Sequence, residues 1–284
     1  MPALLALVVV TAVWGVTFVQ VKDALEVYPL FAFLAVRFAI ATLTLAPLAA
    51  PRLKAAGWKP GALLGALLAI GYALQTAGLE RTTVSSTGFI TGLYVVFTPV
   101  FAYLLFRLRV ARIVVIGVGL SVLGLALLAG VGVGDPVGDA LVLAASAVYS
   151  VQIVLMERYT PRYDPIAFTF VEMLAAFVGF AVIAVALGQI ELPRGWVVWG
   201  ALLVTGVFAS ALGFLVQTWA QQQLSAARTA LAFAMEPAWT AVFGFWLAGD
   251  RLGAAGWTGA ALIMAGIVVA EPAAADALRR LLRR

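Results

Sequence analysis

Apolar runs of about 20 residues recur from end to end of this chain, and each is long enough to cross the roughly 30 Å hydrocarbon layer of a bilayer as a helix. Ten can be marked, at about 3–21, 29–49, 61–79, 85–106, 111–129, 136–156, 164–187, 195–217, 226–248 and 253–271. Ten such spans use about 200 residues of the 284, which leaves short loops and one tail. Composition agrees: 64% of residues are hydrophobic and 11% charged, with a mean hydropathy of +1.08. Soluble domains sit near half apolar and a quarter charged. The expectation is an all-α integral membrane protein with ten transmembrane helices and no soluble catalytic or nucleotide-binding domain.

Several chemistries are excluded at once. Cysteine and histidine are both absent, which removes thiolate chemistry, Cys/His metal sites, His-based triads and haem ligation. No G-x-x-x-x-G-K-[ST] occurs, so a P-loop is not the engine. The 13 acids are scattered, whereas an integral-membrane enzyme usually clusters acids or histidines for metal and phosphate handling. The chain is read as no enzyme, with no cofactor and no metal. The first run has no basic n-region before it and no small-x-small cleavage site after it, so a retained span is expected rather than a signal peptide.

A net charge of +5 would suggest nucleic acid in a soluble protein, but here its placement says otherwise. Thirteen of the 18 Lys and Arg lie in the loops after even-numbered runs and in the tail. The opposite loops hold four, Lys22, Arg81, Arg194 and Arg251, and Arg37 lies inside a run. By the positive-inside rule both termini are cytoplasmic. No nucleic-acid partner is expected; the lipid bilayer is the surrounding partner. The tail, 272–284, ends in "DALRRLLRR", either a basic end that fixes topology or a short amphipathic helix at the anionic inner leaflet.

The runs fall into two sets of five, about 1–130 and 136–271. "AVWGVTFVQVKD" from Ala12 resembles "AVYSVQIVLMER" from Ala147 at an offset of 135, and the same offset carries Arg37 to Glu172. "VVFTPVFAY" aligns with "FAMEPAWTA" through Pro99 and Pro237 at offset 138, and Gly117 and Gly124 match Gly259 and Gly266 at 142. In order and with slowly growing offsets, these matches argue for a duplication. Five is an odd number of crossings, so the second copy is inverted. Inverted repeats are a transporter architecture with the substrate site between the halves near the midplane.

At this point the chain resembles a known family, the drug/metabolite transporter (DMT) superfamily, and within it the EamA-type ten-helix exporters. The resemblance is carried by "AVWGVTFVQVK", "FLAVRFAIATL", "GLERTTVSSTGFITGLYVVFTPVFAYLL" and "MEPAWTAVFGFWLAGDRL". Among these it looks closest to the YddG-type amino-acid exporters. The resemblance implies cytoplasmic termini, a place in the bacterial inner membrane, a cavity lined mainly by runs 1, 3, 4, 6, 8 and 9, and export of small metabolites.

Proline removes a helical N–H and pushes against the carbonyl four residues back. Pro99 therefore frees the carbonyl of Val95, and Pro237 that of Phe233. In lipid such a group is costly unless protein or cavity water satisfies it, so both prolines are read as hinges facing a cavity or packed interior. Glu236 sits beside Pro237 in mid-span, where charges usually face the bundle interior. It could bind a substrate amino group, carry a proton, or neutralise a buried cation such as Arg37. One face of the ninth run carries Phe233, Glu236 and Trp239, and the matching face of the fourth carries Tyr94 and Thr98.

Arg37 and Glu172 each lie about eight residues, or roughly 12 Å, into their spans from opposite sides, and a buried charge pair is expected between them. Trp14 and Tyr149 are too deep for an interfacial belt, and with Thr17, Gln75, Gln152 and Gln217 they complete the expected cavity lining. For the glutamines, hydrogen bonding across helices is the competing use. Gly117, Ser121, Gly124, Gly259, Ala260 and Gly266 form small-residue faces on runs 5 and 10, either scaffold or a self-association surface, in a monomer or weak homodimer.

The leading expectation is a secondary transporter exporting amino acids, aromatic or large apolar ones, by alternating access. The alternative is a multidrug or cationic-metabolite effluxer, since one acid among aromatics also suits a cation. An integral-membrane enzyme is the remaining reading from another class.

Overall fold

The computed structural model describes residues 2–128, 135–247 and 253–270, and the tail and Arg251 lie outside them. The regular structure of the described residues is helical throughout: α1 (Pro2–Leu25), α2 (Leu30–Ala49), α3 (Trp58–Arg81), α4 (Val84–Gly92), α5 (Tyr94–Phe106), α6 (Arg112–Leu128) and α7 (Pro136–Tyr159) come first. Then follow α8 (Pro165–Ala186), α9 (Gly195–Leu203), a π-helical stretch (Val204–Leu212), α10 (Gly213–Gln221), α11 (Ala226–Phe233), α12 (Met235–Leu247) and α13 (Ala254–Ala270). Among the described residues, seven helical stretches are long and apolar enough to cross a membrane, with α4 and α5 counted as one and α9 to α10 as another. Two shorter apolar helices, α6 and α13, have 17 residues each. The run expected at 226–248 is a broken pair, α11 and α12, meeting at Ala234.

Local chemistry sets the helix starts. Asp135 and Asp164 each precede a proline at the first helical position, and their carboxylates accept from Gly138 N–H (3.0 Å) and from Ile166 and Ala167 N–H (both 3.0 Å). These are N-caps with the proline placed where its missing N–H is harmless. Thr83 caps α4 in the same way through Ser86 N–H.

The outside of the bundle is apolar. Leu5, Val9, Leu43, Leu104, Val182 and Val185 are exposed on the membrane-length helices, a surface that water would not tolerate and lipid would. The largest internal cluster gathers Phe33, Phe38, Phe180 and Leu45 between α2, α3 and α8.

The halves interlock. α2 lies against α8, and α6 against α13, each pair being counterparts at the sequence offsets above. Where α3 packs on α7 and α8, the stretch from α9 to α10 packs on α1 and α2; where α4 and α5 pack on α7, α11 and α12 pack on α1. The small-residue faces meet within the chain. A Cβ on Gly117 would stand 2.6 Å from the Gly266 carbonyl oxygen, and one on Gly266 would stand 2.5 Å from that of Gly117. Only glycine permits so close an approach, so this face is scaffold and is already occupied.

Loop contacts segregate. Lys22 Nζ donates to the Thr82 carbonyl (2.6 Å), Tyr28 to the Glu191 carbonyl (2.7 Å), and Arg81 pairs with Asp135 (3.0 Å). At the other set of ends Arg52 faces Asp164 (3.7 Å), Gln222 donates to the Thr160 and Tyr163 carbonyls (3.0 Å each), and Glu157 accepts from Ala226 N–H (2.7 Å). Every one of these contacts joins two odd-numbered loops or two even-numbered ones.

Candidate functional site

The charge beside the helix-breaker has a local explanation. Glu236 and Pro237 are the second and third residues of α12, so Pro237 lies in a first turn, where proline is tolerated. Glu236 lies in the same turn, where the helix dipole favours negative charge. The carbonyl freed by Pro237, that of Phe233, accepts from Tyr94 Oη at 2.7 Å. That donor stands at the start of α5, the counterpart helix of the first half. Tyr94 Oη is also 3.1 Å from Glu236 Oε2, but a phenol carries one proton, so it serves one of the two oxygens at a time.

Around these breaks lies a cavity of about 70 Å³, room for roughly five waters or a small solute. Of the expected lining, Trp14, Thr17, Gln75, Tyr94, Tyr149, Gln152, Gln217 and Glu236 all border it. The Trp14 indole N–H donates to the Ala209 carbonyl (2.9 Å) in the π-helical stretch, and its ring lies 4.9 Å from Phe233 and 5.6 Å from Phe214. Tyr149 Oη donates to Gln75 Oε1 (3.1 Å), and Gln75 Nε2 donates to Thr91 Oγ1 (2.9 Å). Gln217 Nε2 donates to Gln152 Oε1 (3.2 Å). The glutamines thus tie helices together and face the cavity as well.

Two expected residues stand elsewhere. Thr98 is fully buried, and Trp239 packs with Phe243 (6.0 Å) and the cluster around α6 and α13. Each is one helical turn past a cavity residue, Tyr94 or Glu236. The cavity touches only the first turn of α5 and of α12, whereas a face drawn along the whole helix includes the next. Pro237 sits at the α11–α12 break, while Pro99 lies inside α5, beyond the break at Leu93.

The expected buried charge pair is not formed. α2 and α8 do pack together, but the two side chains leave them in different directions. Arg37 Nε donates to Ser210 Oγ (2.8 Å) in the π-helical stretch, and Nη2 donates to Tyr72 Oη (3.0 Å). Its guanidinium carbon lies 4.5 Å from the centre of the Tyr72 ring. Glu172 accepts from Gln152 Nε2 (2.7 Å), and its other oxygen has no partner among the described residues. Arg37 borders the cavity; Glu172 does not.

Tyr72 and Phe214 also border the cavity and were not read from the sequence. Each is three residues before a glutamine of the lining, Gln75 or Gln217, and so shares its helical face.

The sequence model described as the EamA-like transporter family matches residues 1–130 and again 136–270. An uncharacterized transporter of Archaeoglobus fulgidus is 30% identical over 266 residues, covering 93% of this chain and 84% of that protein. The uncharacterized transporter YyaM of Bacillus subtilis is 24% identical over 221 residues, or 74% of this chain and 72% of that protein. A solved crystal structure aligns over 98% of this chain and 97% of its own, with a TM-score of 0.79 and 18% identity, a likeness of fold.

Proposed function

The chain belongs to the EamA-like transporter family, and from that premise we propose that it exports an amino acid, aromatic or large and apolar, by alternating access. The observation that carries the reading is the cavity at the two helix breaks. It is built from both halves, walled by Trp14, Tyr72, Tyr149, Phe214 and Phe233, and bears charged and amide groups among those rings. Such a wall suits a small solute with an apolar body and polar ends.

The helices are read as ten crossings in two inverted sets, with α4–α5, α9–α10 and α11–α12 each one interrupted span and both termini cytoplasmic. The exchange of packing partners between halves supports the duplication. The sorting of loop contacts by parity supports the alternation of sides, and the basic residues of the even loops support the orientation. On that orientation the cavity extends from Val21 and Leu79, near the outer ends of α1 and α3, to Gln217, near the inner end of α10. Interrupted helices at midplane and a cavity between repeats are what a rocking-bundle carrier requires.

A second reading, efflux of organic cations, draws on Glu236 among Trp14, Tyr94 and Tyr149. The presence of Arg37 on the same cavity weighs against it, because a lone cation gains nothing from a guanidinium.

Counterflow in proteoliposomes tests both readings. Vesicles loaded in turn with unlabelled amino acids, polyamines or cationic dyes are given labelled solute outside, with wild type beside Glu236→Gln. Accumulation driven by amino acids and lost in the variant supports amino-acid export with Glu236 at the site. Accumulation driven only by dyes or polyamines moves the protein to cation efflux.

A further inference from the structure

We propose that Arg37 is the carboxylate receiver of this cavity, so that the carried solute is a zwitterion held between Arg37 at its acid end and Glu236 at its amino end. The proposal rests on the amino-acid reading above and adds the residue that selects for the carboxylate.

The observations are these. Arg37 lies in mid-helix on α2, is 5% exposed, and borders the same cavity as Glu236. A guanidinium has five N–H donors, and Arg37 uses two, on Ser210 and Tyr72. Both acceptors are neutral hydroxyls. The ion pairs among the described residues are Arg52–Asp164 and Arg81–Asp135, so no protein carboxylate there neutralises Arg37. Glu172, its expected counter-ion, is engaged with Gln152.

A buried guanidinium normally finds an anion, because leaving it unpaired is among the costliest arrangements inside a membrane. Here the ring of Tyr72 at 4.5 Å and that of Phe38 at 5.6 Å give partial compensation. The three unused donors sit on a planar fork shaped for bidentate carboxylate recognition. Ser210 and Tyr72 anchor the fork through Nε and Nη2, so it is oriented before a solute arrives. Tyr72 reaches on toward Tyr149, edge to face at 5.7 Å, and these rings form the wall between the two charged groups. A solute carrying both charges satisfies both ends; an amine satisfies Glu236 and leaves Arg37 unpaired.

The test is counterflow with three probes of one size: L-phenylalanine, L-phenylalaninamide, which keeps the amine and loses the carboxylate, and 3-phenylpropionate, which does the reverse. Wild type should carry phenylalanine at least ten-fold better than the amide. Arg37→Gln, which can still donate to Ser210 or Tyr72, should lose at least ten-fold on phenylalanine while carrying the amide as well as wild type or better. Arg37→Lys, which keeps charge without the fork, should recover part of the phenylalanine rate; it also stands in if the glutamine variant does not fold. An unchanged preference for phenylalanine over the amide in folded Arg37→Gln, or an undiminished phenylalanine rate in Arg37→Lys, overturns the role of Arg37 and leaves amino-acid export standing. Arg37-dependent carriage of 3-phenylpropionate without phenylalanine would keep Arg37 as the acid receiver and remove the amino-acid reading. Carriage of the amide alone, indifferent to Arg37, removes both.

Discussion

Tyr94 Oη donates to the carbonyl of Phe233 at 2.7 Å, and that carbonyl is the one Pro237 deprives of its helical N–H. The break in one half of the chain is therefore completed by a side chain at the corresponding break in the other. Glu236 stands beside the same phenol at 3.1 Å. A carboxyl group, a broken helix and a single phenolic proton thus meet at the cavity wall, so a change at Glu236 reaches the helix break directly.

The Tyr94→Phe variant should fall in stability by about 1–3 kcal/mol, the cost of orphaning a buried acceptor. Thermal unfolding of the purified protein reads this as a Tm loss of several degrees. Pro237→Ala returns an N–H to the Phe233 carbonyl, so the double variant should lose less than the sum of the singles by roughly 1 kcal/mol. Strict additivity would show that the phenol and the proline do not share that carbonyl.

Gly15 is where α1 meets the broken helix. A Cβ there would stand 3.0 Å from both the Glu236 carbonyl oxygen and the Thr240 nitrogen, backbone atoms that cannot swing aside. Gly15→Ala should push α1 off α12 at the cavity, costing about 1–3 kcal/mol as overpacking does, and transport should fall with it. Gly119→Ala on α6 is the matched control, because nothing lies within 4 Å of its added methyl. There alanine's helix propensity should leave stability equal or higher by up to about 1 kcal/mol. Equal behaviour of the two variants would count against the close approach at Gly15.

Helix positions were legible in the sequence because lipid admits few alternatives to an apolar run of membrane length. The break in the second half was legible through Pro237, whereas Pro99 lies inside α5 and does not mark the break at Leu93; most of the lining was legible through polar or aromatic residues too deep for an interface. The azimuth of a lone polar residue was not. Arg37 and Glu172 stand at comparable depths on helices that touch, yet each turns to a nearer hydroxyl or amide. The depth of the cavity along a helix was equally hidden, which is why Thr98 and Trp239 were grouped with Tyr94 and Glu236. Nothing in "VTGVFASAL" marks the π-helical stretch that carries Ser210 to Arg37 and the Ala209 carbonyl to Trp14.

Asp135 provides a pH effect outside the membrane. The hydrogen bond from Arg81, with help from the Gly138 N–H, holds its carboxyl below the ordinary value of 3.8. A folded-state value below the unfolded one means that the stabilisation is present above about pH 4 and is lost as pH falls through the folded value. The group is exposed, so the effect is small. Asp135→Asn should lower Tm slightly at pH 7, with a narrower gap near pH 2. An equal gap between the two proteins at both pH values would separate Asp135 from this linkage.

Thr98 and Trp239 should line the solute path beyond the cavity. The Thr98 hydroxyl and the Trp239 indole N–H are buried with no hydrogen-bond partner among the described residues, an arrangement that native proteins seldom keep without a use. On the proposed orientation α5 runs from its break toward the cytoplasm, and α12 from its break toward the outside. The two orphaned groups then lie one turn below and one turn above the cavity, where water and solute reach them as the bundle rocks. The chain has no cysteine, so single-cysteine variants report without background. Thr98→Cys should react with a membrane-impermeant thiol reagent from the cytoplasmic side, and Trp239→Cys from the outer side. Exposed Ser225 and Leu192, changed to cysteine one at a time, mark the two faces. Saturating transported solute should change both rates. If either cysteine in a transport-competent variant reacts from the opposite face, the orientation is reversed there; if neither reacts from any side, the pathway does not pass these residues.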